Sequence, residues 1–442
     1  MKQIKKSNLT LLLAIGLGVS SVCYTSCGGN EKQEHGSNTD TLKTAVATPS
    51  PQLSPVLPFD AVISPNDTDI RTTIRRDFDV FSWQSFVAIC WPTKEGETIG
   101  QHGDNPTVWE TWKKNYEVFL PNGQKPSPWD PIAQGMQQTL SQEGKVPNDP
   151  DLSAIFQPEL TGPLVDQNGE YVRFEIAINK IMFDYIDAHE LYNIEGQNKF
   201  TDTISFPFGN NTSKTYGSIM VKASWKILGK GDDTSRFHKT KATIHITALP
   251  SKGIKASSYE AVVGLVGLHI GTRTNICPQW IWSTFEQVDN DPNVGTAGDG
   301  HYNFFSKIAG LKALNKPPVQ PWNAGIKGQI PTQVNRVIPI DSGTQELNAY
   351  YKSLLIAVNP KSVWQYYELV GTQWPTDGQS KTDNTGVPFP TYLANSTLET
   401  YDQGTTPGVS SSCIGCHNAA TSMSGRTSDF TFLLKTANST KK

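Results

Sequence analysis

Residues 411–420 read SSCIGCHNAA, two cysteines at i and i+3 with a histidine directly after the second. Nothing else in the chain narrows its identity as far. Three chemistries share this spacing: a zinc site, a disulfide, and a haem joined through two thioethers. Choosing among them requires the compartment, which is read at the other end of the chain.

The first residues are MKQIKKSNLTLLLAIGLGVSSVCYTSCGGN. Lys2, Lys5 and Lys6 form a basic start, residues 11–22 are apolar, and small residues lead to a cysteine. That is the layout of a secretory signal peptide over 1–26. Tyr24, Thr25 and Ser26 precede Cys27 in an imperfect lipobox, and Cys27 is the expected lipidation site; Cys23 follows bulky Val22 and fits less well. Acyl chains there anchor the chain by burying CH2 groups, at about 0.8 kcal/mol each. Residues 27–57 are rich in Ser, Thr, Pro, Gln and Gly and read as a disordered tether. The expected location is the cell envelope, on the periplasmic or outer-membrane face. A net charge of −3 offers no basic footprint for nucleic acid.

Residues 58–384 read as an α+β body. Ser64 and Pro65 make a good helix start, and Ile70, Ile74, Phe78 and Phe81 continue at helical spacing until Pro92 stops the run. VWETWKKNYEVF (108–119) and IMFDYIDAHELYN (181–193) read as further helices, and Asn168-Gly169 as a hairpin turn. GSIMVKASWKIL, KATIHITAL, YEAVVGLVGLHIGTRT and PQWIWSTFEQ read as strands. Residues 344–358 return to helix, and VWQYYELVGTQWP is extended. Strands come in a run rather than alternating with helices, which favours α+β over α/β.

In an exported chain, CxxCH is the attachment signature of haem c. Cys413 and Cys416 carry the thioethers and His417 is the axial ligand; one covalent haem is expected. Zinc needs a second ligand pair. Cys90 and Cys277 are too far apart in sequence to make a recognisable one, and read as two buried thiols or one disulfide. Residues 385–442 form the haem-binding segment. Its apolar content before Cys413 is small, so the body is expected to complete the pocket, near His269 or the strand carrying Trp280 and Trp282.

Candidates for a sixth iron ligand are Met423, His269, His245 and His301, with a five-coordinate iron as the alternative. Trp280 and Trp282 alternate onto one strand face with Glu286 beyond, as an aromatic core edge or a pocket wall. DNDPNVGTAGDG (289–300) spaces Asp289, Asp291 and Asn293 like a calcium loop but lacks its Gly and Glu, and reads as a turn. No nucleophile-elbow GxSxG is present.

FSWQSFVAICWP, VWETW, RFEIAINK, QWIWSTFEQVDN, YYELVGTQWP, LANSTLETY and SSCIGCHNAA, in this order, resemble a family of exported bacterial proteins described as cytochrome c family proteins. The resemblance runs over about residues 78–435. It implies haem at Cys413, Cys416 and His417 and implies no particular reaction. Gln287 stands where a histidine is expected after TFE. The leading expectation is a lipid-anchored monohaem cytochrome that carries electrons to or from a redox partner protein. The alternatives are a haem-dependent oxidoreductase whose body takes a small-molecule substrate, and a binding lipoprotein with a structural or sensory haem.

Overall fold

A computed structural model describes residues 51–100, 105–130, 138–140, 163–246, 255–295, 300–307, 314–319, 322, 327–376 and 387–441. The expected signal peptide, Cys23, Cys27 and most of the expected tether lie outside these residues. Everything described belongs to one compact unit, Ala47–Lys442.

The architecture is mixed α+β. In chain order the elements are α1 (Thr73–Ile89), β1 (Lys113–Lys114), α2 (Asn115–Val118), β2 (Gln138–Leu140), β3 (Arg173–Ile178), α3 (Lys180–Ala188), α4 (Ile194–Lys199), β4 (Ile219–Ile227), β5 (Lys239–Ile246), β6 (Ser257–Thr272), β7 (Ile281–Gln287), α5 (Ser342–Val358), β8 (Tyr367–Pro375), β9 (Pro388–Phe389) and α6 (Cys413–His417). The strands join in the order β1-β3-β4-β6-β7-β8-β9 with antiparallel neighbours, while β5 pairs with β6 and β2 runs parallel to β5. β6 is the spine. Its first half pairs with β5 and its second half lies between β4 and β7. That second half is covered on both faces, which accounts for its nearly continuous apolar run.

One face of the sheet packs on α1 and α5. Trp83, Phe86 and Val87 of α1 and Leu347, Tyr351 and Leu355 of α5 meet Val221, Leu268, Ile270 and Phe285. The other face presents Met220, Lys222 and Ser224 from β4, Gly267, His269 and Gly271 from β6, and Trp282, Thr284 and Glu286 from β7. Segment 393–441 crosses this second face. A Cβ on Gly267 would stand 2.2 Å from Thr397 Oγ1 and 2.6 Å from Ser224 Oγ, so only glycine admits the segment there. Gly267→Ala is expected to destabilise the fold by about 1–3 kcal/mol, the usual cost of overpacking. Urea unfolding measures it, and an unchanged midpoint would show that the segment yields freely.

Two helix expectations need correction. The first helix begins at Thr73, not at Ser64-Pro65. Residues 64–67 close a turn, and the Asp69 carboxylate accepts from the Arg71 amide and the Thr72 hydroxyl. Such local side-chain bonds compete with the helix ladder. Residues 108–119 do not form one helix either. They break into a 3-10 turn (Trp109–Thr111), β1 and the short α2. Here tertiary contacts override propensity: β1 pairs with β3, and Lys114 Nζ meets the Glu175 carboxylate at 2.8 Å in the core. The turn at Asn168-Gly169, strands β4 to β6 and α5 form as the sequence predicts, whereas β7 begins only at Ile281, after Trp280 at a left-handed φ of 70°, and the extended run expected from Val363 opens with a 3-10 turn to Tyr366 before β8. Residues 181–193 are helical only as far as Ala188. Cys90 and Cys277 are separate buried thiols in different cores, so the disulfide reading is corrected.

Asp79 ties α1 to both neighbours, accepting from Thr344 Oγ1 and Thr372 Oγ1 at 2.6 Å each. Burial pushes its carboxyl up to about 6. A carboxyl raised above its unfolded value of about 3.9 favours the protonated form in the fold. Its stabilising contribution is therefore complete below pH ~4 and lost as pH rises through ~6, a change of order 3 kcal/mol. Asp79→Asn is expected to flatten the decline in melting temperature between pH 4 and 8. A variant whose profile parallels the parent's would place the titration elsewhere.

Candidate haem-attachment site

The sequence from Ser412 to His417 forms a single helical turn because each end is held. Ser412 caps it, accepting from the Gly415 amide. Gln373 of β8 accepts the Ile414 amide at 2.8 Å and touches Ser412 Oγ. Ile414 itself is buried among Met220, Trp280, Trp282, Phe430 and Leu434. The turn is thus docked on the β-rich body. Cys413 is half-buried and Cys416 exposed, one turn apart.

His417 is oriented from three sides. Its Nδ1 lies 2.8 Å from the Phe430 carbonyl oxygen, Trp282 packs at 4.2 Å between ring centroids, and Phe432 at 5.4 Å. A carbonyl accepts only, so Nδ1 carries the hydrogen and Nε2 keeps its lone pair. Burial, with smaller contributions from the Lys222 and His269 charges, lowers the imidazole to about 4. At neutral pH it is the neutral form that ligates metals. Burial, together with the Glu399 charge, pushes the Cys413 thiol well up.

The carbonyl is placed by a strained loop. Asp429 and Phe430 both adopt left-handed φ, 52° and 62°. Asp429 is fixed by Arg273 at 3.1 Å and by the Phe206 amide at 2.7 Å. Non-glycine residues hold such backbone only where their surroundings over-determine it.

The donor set fits a haem. Among the described residues no cluster of three or more His, Cys, Asp or Glu is arranged to hold a metal ion with protein ligands alone. A macrocycle brings its own four nitrogens, and asks the protein for two thiols and one imidazole nitrogen. Cys413, Cys416 and His417 supply these on one turn, with the second ring nitrogen already oriented by a carbonyl. Cys90 and Cys277 lie elsewhere and bring no further sulfur to the turn.

The other sequence candidates separate clearly. His269 comes to the site. Its Nε2 lies 2.8 Å from Glu399 Oε1, opposite Lys222 on β4 and Thr284 on β7. That bond occupies Nε2 and leaves Nδ1 as the nitrogen with a lone pair to offer. His245 pairs with Ser258 at the far end of β6, eleven residues from His269 or roughly 36 Å along the strand. His301 is exposed outside the sheet, and Met423 has an exposed side chain with its amide bonded to Gln197. Trp282 is the wall against His417, and Trp280 stands behind it.

Glu286 forks to Arg336 and accepts the Ser396 amide, so it anchors segment 393–401. The 289–295 stretch is a turn, as its sequence predicts: Asp289 pairs with Arg236 while Asp291 is buried beside Arg336, so the two carboxylates serve different arginines. Gln287 bonds Asp289. A cavity of about 240 Å3 lined by Leu57, Phe59, Asp77 and Phe81 opens beside α1 and includes none of the candidate residues.

Sequence reading missed four contributors: Gln373, the Phe430 carbonyl, Glu399 and Lys222. Only Lys222 carried a faint signal, as the one charged side chain in the apolar run IMVKASW, while Gln373 and Glu399 sit among other polar residues in YELVGTQWP and LANSTLETY. The carbonyl carried none. Set against known protein families, curated proteins and solved structures, the chain matches nothing in any of the three.

Proposed function

We infer that the chain is an exported, lipid-anchored c-type cytochrome that carries one covalent haem and passes electrons in the cell envelope. The observation that supports this most is the His417 imidazole, held by the Phe430 carbonyl through Nδ1 so that Nε2 remains a ligand, one residue after two thiols on the same turn. Bound there, haem supplies a one-electron iron couple. The chain's own residues tether it through Cys413 and Cys416, ligate it through His417, and offer Trp282 and Phe432 as apolar cover. Cys416 is exposed, which leaves this side of the turn open to a redox partner. Among the described residues no helix is long and apolar enough to cross a membrane; attachment through lipid at Cys27 needs none.

The test is production in cells that attach haem c. The expected product has a c-type absorption spectrum and one haem per chain that resists acidic extraction. A colourless protein that retains zinc overturns the reading. A second reading, a haem-dependent oxidoreductase, is favoured by one observation, the His269–Glu399 pair beside the turn.

A further inference from the structure

On the sheet face that carries the CxxCH turn, β6 presents Gly267, His269 and Gly271 in succession. The glycines raise no side chain, so His269 stands alone on this part of the strand. Glu399 meets it from the overlying segment, Nε2 to Oε1 at 2.8 Å, and the other carboxylate oxygen accepts the Asn395 amide at 2.9 Å. Nδ1 makes no hydrogen bond among the described residues.

The pair is not required to dock that segment. Ser396 bonds Glu286, Asn395 bonds Thr284, and Thr397 bonds Ser224, all buried. Those bonds instead fix Glu399 rigidly against the imidazole. The side chains of His269 and Glu399 are 18% and 20% exposed, so a small molecule can reach them without unfolding. Two residues along β6, Gly271 pairs with Trp282, whose ring packs on His417 at 4.2 Å between centroids, so the pair lies on the sheet face against which the turn docks.

We propose that His269 and Glu399 are an acid–base site for a small protic ligand of the hydroperoxide type, HX, bound beside the haem; this rests on the haem reading above. The imidazole donates Nε2–H to the Glu399 carboxylate, which leaves the Nδ1 lone pair as the base. The H–X bond breaks and the Nδ1–H bond forms. X− keeps the bonding pair, and no electron changes hands. The carboxylate stabilises the resulting imidazolium, and Lys222, on the neighbouring strand, adds a positive charge that favours the anion.

Hydrogen cyanide is the probe, a weak acid that binds ferric haem as its anion and must lose a proton to do so. The full chain with haem attached is mixed with cyanide and the haem absorbance followed. His269→Gln is expected to slow association about 100-fold or more, and Glu399→Gln, which keeps a hydrogen bond but removes the charge, about 10-fold. Haem content and resting spectrum should be unchanged in both. Should His269→Gln fail to fold, Glu399→Gln decides. Association at the parent rate in the variants overturns the proposal, as does a parent protein that takes up no cyanide. A chain without covalent haem overturns the haem reading and this site with it. Nitrogen-15 NMR of the haem-free chain gives a separate readout. His269 should be neutral with its hydrogen on Nε2, and a ring protonated on Nδ1 instead overturns the proposal.

Discussion

A chain with alanine at both Cys413 and Cys416 is expected to emerge folded but without covalently attached haem. Both thiols sit on one turn whose backbone is held by Ser412 and Gln373, not by the sulfurs. Cys416 is exposed and Cys413 half-buried at the edge of the core, whereas Ile414 supplies the turn's fully buried contact. Loss of the two sulfurs therefore removes little packing, and stability should fall by no more than about 1–2 kcal/mol for these small, partly exposed side chains. The effect on cofactor should be total: mass spectrometry of the denatured chain shows no haem adduct. Single substitutions should each retain one thioether and a fraction of the adduct. Recovery of acid-stable haem at the parent ratio in the double variant would sink the assignment. His417→Ala offers the complementary result, haem attached but with its axial bond lost, read as an altered absorption spectrum.

Arg336→Met is expected to cause the largest loss of stability of any single change discussed here. Arg336 is the cation of a buried acidic cluster. It reaches the Glu286 carboxylate at 3.0 and 3.3 Å and Glu368 at 3.6 Å. Asp291, whose carboxyl burial pushes up to about 7, lies in the same field. Removing one partner of such a pair strands the others without water, at about 3–5 kcal/mol. A typical domain has only about 5–15 kcal/mol in total. The damage should spread to the attachment segment, because Glu286 also holds the Ser396 amide at 2.6 Å. Urea unfolding at pH 8 measures the loss. It should lessen toward pH 5 as the stranded carboxyls take up protons. A variant within about 1 kcal/mol of the parent at pH 8 would mean that the cluster carries no net stabilisation.

Much of the sheet was legible in the sequence because β4 to β7 write their burial into local patterns: alternation in KATIHI, and an apolar run broken only by His269 where β6 is covered twice. The turn at 413–417 was legible because the fixed CxxCH spacing suits one turn of helix. What stayed hidden was set by distance along the chain. His269 and Glu399 are 130 residues apart, and Gln373 meets Ile414 across 41. The failed helix at 108–119 has the same origin, since Lys114 answers to Glu175 rather than to its neighbours. The Phe430 carbonyl belongs to the backbone, which every residue has, so no residue type announces it. Its placement depends on two consecutive left-handed residues that any sequence reader would take for ordinary loop.

The docking of residues 393–441 across the open sheet face also sets a timetable. Once docked, Ser412 and Ile414 are buried on β8, and the His417 imidazole is half-buried, packed on Trp282 and bonded to the Phe430 carbonyl. On the haem reading, machinery that joins two thiols to a haem reaches the half-buried Cys413 most freely while the segment is still loose. During that interval Met220, Trp280 and Trp282 lie uncovered on the body. On that reading attachment and closure compete for the same stretch of chain, and the outcome depends on which is faster. A body that folds too eagerly shuts its own turn away without haem. A slow-docking segment, such as one meeting alanine at position 267, would lengthen the interval in which maturation can win.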